Sequence, residues 1–355
     1  MRTQKGFSLL ETLVSIAIFS LMTAAVYSTY MAQVKHTARE YQMARSDMDI
    51  QVAKTLMDRD IMTAGFGLAS DFGAMPDAEA VTLAAETRAI RVIKGAAATD
   101  PDAIILMGTA LGIESRIPQG WTVSDGIAAP YRVWDDEPRD NLVTGDLAVA
   151  INPDTRKIAS PASPWLETYN TGVNAALPAG TSLYGLRGVS SDPLPFGAFA
   201  MPHYWVMYSL YTPGEPDTYC APGTLRLGRK ETWQRTAAPN GAWGRNDPFI
   251  PCVLNMQVAL GLDTNEDQVV DIWDDGGGSA AGLSASILNE QVKQIRVYIL
   301  VQASDRDANY SHPSPVLVGD NDLGVGTTIT LKANLEQEKY RWELLTSVVT
   351  PRNIR

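Results

Sequence analysis

Residues 12–34 constrain this chain most: they are 23 consecutive residues without a charge, bounded by Glu11 and Lys35. At the helical rise of about 1.5 Å per residue, such a run spans roughly the 30 Å of a bilayer's hydrocarbon core. It is too long for the apolar core of a secretory signal peptide. Arg2 and Lys5 precede it and no basic residue lies within it. By the positive-inside rule the N-terminus then stays in the cytoplasm and the bulk of the chain lies outside it. From Phe7 to Ala64 there is neither Gly nor Pro over 58 residues, so one helix of about 87 Å can continue well past the membrane. Its second half changes character. Val34, Ala38, Tyr41, Met48, Val52 and Leu56 recur at helical spacings, with Lys35, Arg39, Glu40, Arg45, Asp47 and Asp49 between them. That pattern predicts an amphipathic helix with this stripe buried, stopped at Gly65 and Gly67.

Beyond residue 68 the helical period fades. Short apolar runs predict strands at Ala103–Met107, Asp146–Ile151, Tyr204–Tyr211, Val253–Leu262, Gln294–Gln302 and Trp342–Thr350. Ile295, Val297, Ile299 and Val301 alternate with their neighbours, as do Leu254, Met256, Val258, Leu260 and Leu262, which suits one buried sheet face. The expected class is α+β: a long N-terminal α-helix packed on a globular head of antiparallel β-sheet with long loops. Residues 152–200, rich in Pro, Ser, Gly and Ala, read as a loop-rich insertion.

Composition excludes several functions. Of 355 residues, 45% are hydrophobic and 19% charged, the balance of a folded protein. A net charge of −11 disfavours nucleic acid as a partner. Three histidines and two cysteines are a thin inventory for transition-metal or histidine-based catalysis. No Gly-x-Ser-x-Gly elbow, Walker loop or His-Glu-x-x-His helix is present, so no enzyme is expected. The aromatic run Tyr204, Trp205, Tyr208 and Tyr211 reads as sheet packing rather than a sugar platform.

The N-terminal heptapeptide Lys5-Gly6-Phe7-Ser8-Leu9-Leu10-Glu11 resembles the prepilin leader of type IV pilins and secretion pseudopilins. The resemblance implies a leader at residues 1–6 and a stem helix at 7–64, ahead of a periplasmic head at 65–355. It implies cleavage between Gly6 and Phe7 by a prepilin peptidase, and methylation of the new amino terminus at Phe7. It also implies an assembly contact between Glu11 and the amino terminus of a neighbouring subunit. A carboxylate at the edge of the bilayer is costly on its own, and a neighbour's ammonium offsets that cost.

Two further segments narrow the resemblance. Residues 56–67, with Arg59-Asp60-Ile61 and Ala64-Gly65-Phe66-Gly67, are similar to the helix end of PilW-type minor pilins. The ending at residues 340–354, with Arg352-Asn353 after an apolar strand, is similar to theirs as well. The implied role is a minor pilin of a type IV pilus, in the priming or tip complex that starts the filament. The implied partners are other minor pilins, the major pilin, the prepilin peptidase, the inner-membrane assembly platform and membrane lipid. A J-type pseudopilin of a type II secretion system and a calcium-dependent tip adhesin are the alternatives.

One acidic stretch has ligand spacing. Counting Asp263 as position 1, oxygen-bearing side chains fall at Asp263, Asn265, Asp267, Asp271 and Asp274, with the Val269 carbonyl at position 7. Those are the offsets of an EF-hand-type Ca²⁺ loop. Gln268 stands where such loops carry Gly, and Asp274 where they carry Glu. The preceding residues read as a strand, so the expectation is a Ca²⁺ loop on a sheet, with an acidic surface turn as the alternative. Cys220 and Cys252 would face an oxidising compartment and are expected to form a disulfide. Two separate buried thiols are the alternative.

Overall fold

The computed structural model describes residues 8–69, 89–111, 121–124, 126, 142, 144–159, 167–170, 176–187, 199–215, 217–235, 246–276 and 285–354. The chain divides into two compact units, residues 1–51 and 52–355. A single helix, α1 (Leu9–Thr63), begins in the first and ends in the second.

In the first unit the stretch Leu9–Val34 is long and apolar enough to cross a membrane, and none of it is buried by protein. Leu9, Leu13, Ile16, Phe19, Leu21 and Val26 all point outward. Its hydroxyls are satisfied within the helix: Ser15 donates to the Glu11 carbonyl at 2.8 Å, Thr23 to Phe19 at 2.8 Å, and Thr29 to Ala25 at 3.0 Å. A helix in hydrocarbon must dispose of its polar groups in this way.

Within the second unit the end of α1 buries Ala53, Met57, Asp60, Ile61 and Ala64. This stripe is rotated from the one the sequence predicts, because Met48 and Val52 are exposed at 69% and 64%. The buried face includes a carboxylate, Asp60, which an apolar-only pattern cannot register.

The head is built on an antiparallel eight-stranded sheet. Its strands are β1 (Ile90–Ile93), β2 (Ala103–Gly108), β7 (Phe199–Tyr211), β8 (Leu225–Arg235), β9 (Asp247–Leu262), β10 (Ile272–Asp274), β11 (Val292–Gln302) and β14 (Trp342–Val349). The order is β1-β2-β7-β8-β9-β11-β14, with β10 hairpinned onto the end of β9. All six sequence-predicted strands coincide with strands, with Asp146 and Thr350 each one residue outside. The register pairs Ile295 with Leu260, Val297 with Val258 and Ile299 with Met256, placing these residues on one face, whereas a register shift beyond Leu300 turns Leu254 to the other. Ser347 shares that face, since it pairs with Val297, and its hydroxyl meets Asp58 of α1. The opposite face is covered too. Tyr298, Leu300, Ala259 and Trp342 pack there against the hairpin of β12 (Val316–Asp320) and β13 (Val325–Ile329). Hence β11 is buried on both sides along its second half.

A plug completes the sheet. β8 pairs with β9 only as far as Val253, and β10 takes over at Leu260. Between them Asp102 donates its amide to the Met256 carbonyl at 2.8 Å and accepts the Val258 amide on its carboxylate at 3.0 Å. Lys94 closes this buried carboxylate at 2.9 Å.

A second antiparallel sheet has the order β3-β6-β4-β5, from β3 (Trp121–Val123), β4 (Leu147–Ile151), β5 (Glu167–Thr168) and β6 (Ser182–Arg187). Its core holds Leu142, Ala148, Ala150, Tyr169, Leu177 and Leu183. The expected loop-rich insertion at 152–200 is thus part of a small sheet that starts near residue 121. The sequence reading found β4 but missed β3, β5 and β6, because strands of two to six residues, with Gly and Ser among them, give little periodic signal.

Candidate functional site

Glu11 sits in the first turn of α1, where its carboxylate accepts the Ser8 amide at 3.4 Å. Ser8-Leu9-Leu10-Glu11 therefore forms the glutamate half of a capping box, a local signal that the family resemblance had overshadowed. The carboxylate also lies where the helix dipole favours negative charge. Gly6 and Phe7 lie outside the described residues.

At the other end of α1, two segments far apart in sequence meet. Gly65 takes a left-handed backbone (φ 82°) and donates its amide to the Met107 carbonyl at 2.8 Å. The C-terminal tail returns to the same turn. The Arg352 amide donates to the Met62 carbonyl at 3.2 Å, and the Asn353 side-chain amide reaches the Met62 and Thr63 carbonyls at 3.4 and 3.5 Å. These are the carbonyls that a helix C-terminus leaves unpaired. Arg156, on the β4–β5 connection, donates to the carbonyls of Leu68 and Asn353 at 3.3 and 3.2 Å. Phe66 stacks edge-on against Tyr184 of β6 with centroids 5.0 Å apart. A pocket of about 260 Å³, open to solvent, lies at the junction, lined among others by Gly65, Ala89, Arg156 and Asn353.

One helical turn earlier lies a buried ionic cluster. The Asp60 carboxylate accepts the Tyr208 hydroxyl at 2.8 Å and the Arg229 Nε at 2.8 Å. Arg229 also donates to the Leu111 carbonyl at 3.1 Å and pairs with Glu231. Burial, then the Asp60 charge, push the Tyr208 phenol well above its ordinary value. Burial pulls the Arg229 guanidinium down, but Asp60, Tyr208 and Glu231 hold it above its ordinary value. A desolvated charge pair of this kind fixes geometry more than it adds stability. It locks the end of α1 to β7 and β8 through the Arg-Asp-Ile segment.

The acidic loop joins β9 to β10. Asp263 is buried and accepts the amides of Asp267 and Gln268 at 3.2 and 2.9 Å, with the Lys293 ammonium at 3.7 Å. Asn265 accepts the Asp267 amide, Asp267 accepts the Val269 amide, and Asp271 accepts the Thr264 amide and hydroxyl. Burial works to raise the Asp263 carboxyl, yet the amides of Gln268, Glu266 and Asp267 with Lys293 hold it below its ordinary value. Gln268 adopts φ 72°, the left-handed turn that glycine takes without strain. Asp263, Asn265, Asp267, Val269 and Asp271 share this loop. Asp274 does not join them: it is the last residue of β10, pairs with Leu260, and accepts the Gly276 amide at 2.6 Å. The hairpin draws position 12 back along β9, away from the loop. Among the described residues no three His, Cys, Asp or Glu side chains are grouped so as to hold a metal ion.

Cys220 and Cys252 form a disulfide with Cα atoms 5.1 Å apart. Cys252 lies at a register shift between β8 and β9 and has φ 53°, so the bridge ties a bulge to the connection between β7 and β8.

The prokaryotic N-terminal methylation motif matches residues 1–27. The Type IV Pilus-assembly protein W family (PilW) matches residues 220–353, a span that runs from the disulfide to Asn353. The chain joins a prepilin methylation motif to a PilW-like region. The two matches bracket the molecule in the order leader, helix, head. The PilW-like region supplies the Arg352-Asn353 tail that meets the end of α1. Among solved structures, a type IV-like pilin TTHA1219 from Thermus thermophilus is 9% identical, with a TM-score of 0.33, over 87% of this chain and 98% of that one. No curated protein matches. Pilin-like families are structural, and a membrane-anchored pilin works through contacts with other pilus components.

Proposed function

We propose that this PilW-like pilin is cut between Gly6 and Phe7 by a prepilin peptidase and methylated on Phe7. It then waits in the inner membrane with its head in the periplasm. From there it joins other minor pilins in the complex that primes the pilus through the inner-membrane assembly platform, ahead of the major pilin. The observation that carries this reading is a prepilin motif and a PilW region on one chain, the second within a large head. So bulky a head suits an initiator or tip subunit better than one repeated along a shaft. Glu11 supplies the assembly contact. In the lone subunit its carboxylate rests on its own helix terminus, and a neighbour's amino terminus replaces that weak partner with a full charge. Deletion of the gene tests the reading, scored for surface pili and for secreted enzymes. Loss of pili with normal secretion is expected. Loss of secretion with normal pili overturns the reading in favour of a J-type pseudopilin.

We further propose Ca²⁺ as the ion for the β9–β10 loop, held by Asp263, Asn265, Asp267, the Val269 carbonyl and Asp271. Their donors are all hard oxygens, and Gln268 already adopts the backbone turn that such loops require. Asp274 takes no part. Calcium titration followed by thermal melting tests this: a rise in melting temperature at millimolar Ca²⁺ is expected, and no shift, or the same shift in Asp267→Ala, overturns it.

A further inference from the structure

β14 ends the large sheet, and among the described residues no strand pairs with its outer side. The Ala303 amide donates to the Arg341 carbonyl at 2.8 Å. Antiparallel pairs alternate between bonded and non-bonded, so residues 343, 345, 347 and 349 face β11, whereas 342, 344, 346 and 348 turn outward. The Trp342 amide confirms the phase by donating outward to the His312 ring at 3.4 Å. The outward N–H and C=O groups of Leu344, Thr346 and Val348 have no hydrogen-bond partner among the described residues. Edge strands are ordinarily guarded by lysine, proline, a bulge or a covering segment. From Trp342 to Val349 there is no lysine and no proline, and the pairing with β11 runs without a register shift. Thr346 and Val348 are exposed, the latter at 48%.

We propose that this edge is a strand-addition site, and that its occupant is an extended segment of a different pilin-class subunit in the same assembly. The proposal rests on the minor-pilin reading for its partner class. Charge selects the occupant. Exposed Arg341 and Arg352 flank the edge, and Glu343 is the one carboxylate between them. The complementary strand is apolar at alternate positions with acidic residues toward its ends. A second copy pairing through the same edge brings the same two arginines, and so lacks that complementarity. Main-chain bonds to residues 344, 346 and 348 give such a complex its affinity, and side chains beside Val348 give it selectivity.

The test uses the full-length chain in its own membrane, with a photo-crosslinking residue at position 346 and, as a control, at exposed Asp322. The expected result is an adduct with another pilin-class subunit at 346 and not at 322. That adduct falls by about tenfold or more when Val348→Lys is added, because the lysine replaces an apolar contact beside the added strand with a charge that pairing would desolvate. Thr346→Pro is the second variant: it removes one outward N–H while sparing the β11 ladder, and pili should be lost although processing and membrane level stay normal. No adduct at 346, an adduct only with itself, or an adduct indifferent to Val348→Lys overturns the proposal. The outcome is separable from the functional reading. An adduct with a secretion-machine subunit keeps the edge and discards the pilus, whereas lost piliation on deletion with no adduct does the reverse.

Discussion

Asn353 closes the helix end that Gly65 opens: a Cβ on Gly65 would lie 2.8 Å from the Asn353 carbonyl oxygen. The tail can approach the last turn of α1 only because that residue has no side chain, and its φ of 82° suits glycine for the same reason. Gly65→Ala should therefore destabilise the head by about 1–3 kcal/mol, from the left-handed backbone and the displaced tail together. Urea denaturation of the full chain in detergent measures it. Gly67→Ala should cost a similar amount, since its Cβ would fall 2.5 Å from the Thr109 hydroxyl. An unchanged midpoint in both would show the junction to be plastic.

The buried cluster makes the second prediction. Arg229→Met leaves buried Asp60 with only the half-exposed Arg59 guanidinium at 3.4 Å and should cost about 3–5 kcal/mol. Asp60→Leu combined with Arg229→Met removes both charges and should recover much of that loss. Tyr208 adds a pH signature. Its phenol is raised in the folded state, so the unfolded chain ionises first. Stability is then level up to about pH 10 and falls above it. Tyr208→Phe should lessen that alkaline decline, to which the raised phenols of Tyr169, Tyr298 and Tyr340 also contribute, read from unfolding free energies between neutral pH and pH 11.

How much of this was legible in the sequence depends on range. The apolar run of α1, the glycine stop and six strands follow from local spacing. So did the Cys220–Cys252 pairing, which needed only a compartment. The cluster did not, because Asp60 lies 148 residues from Tyr208 and 169 from Arg229. An Asp inside an otherwise apolar stripe was its one trace, and it misled the choice of buried face. Asp274 failed for a different reason: loop spacing fixes ligands only where the backbone continues as a loop, and here it turns into β10. The motifs at residues 59–67 and 352–353 were legible as likenesses, and the structure supplies their cause, since each is one side of the same junction.

The disulfide spans a separation of 32 residues. Closing a loop of that size should contribute about 3–4 kcal/mol on the chain-entropy account. Reduction should lower the denaturation midpoint of the head, and the double variant Cys220→Ala with Cys252→Ala should match the reduced protein. Alkylation under non-reducing conditions should leave both residues unmodified in the native chain.

Asp263 makes the loop sensitive to acid even without a cation. Its folded carboxyl is held below the ordinary value, so its contribution is complete above the unfolded pKa of about 3.9 and is lost as pH falls below that. Asp263→Asn should thus destabilise the head at pH 7 and make little difference near pH 2. The cause is local: Asp263 anchors the amides of Asp267 and Gln268, whereas Asn265 and Asp267 each brace only the next turn. Asp267→Asn should therefore cost less at neutral pH than Asp263→Asn, and hydrogen exchange at the Gln268 amide should rise in the Asp263 variant alone. Equal exchange in the two variants would mean that Asp263 does not organise the loop.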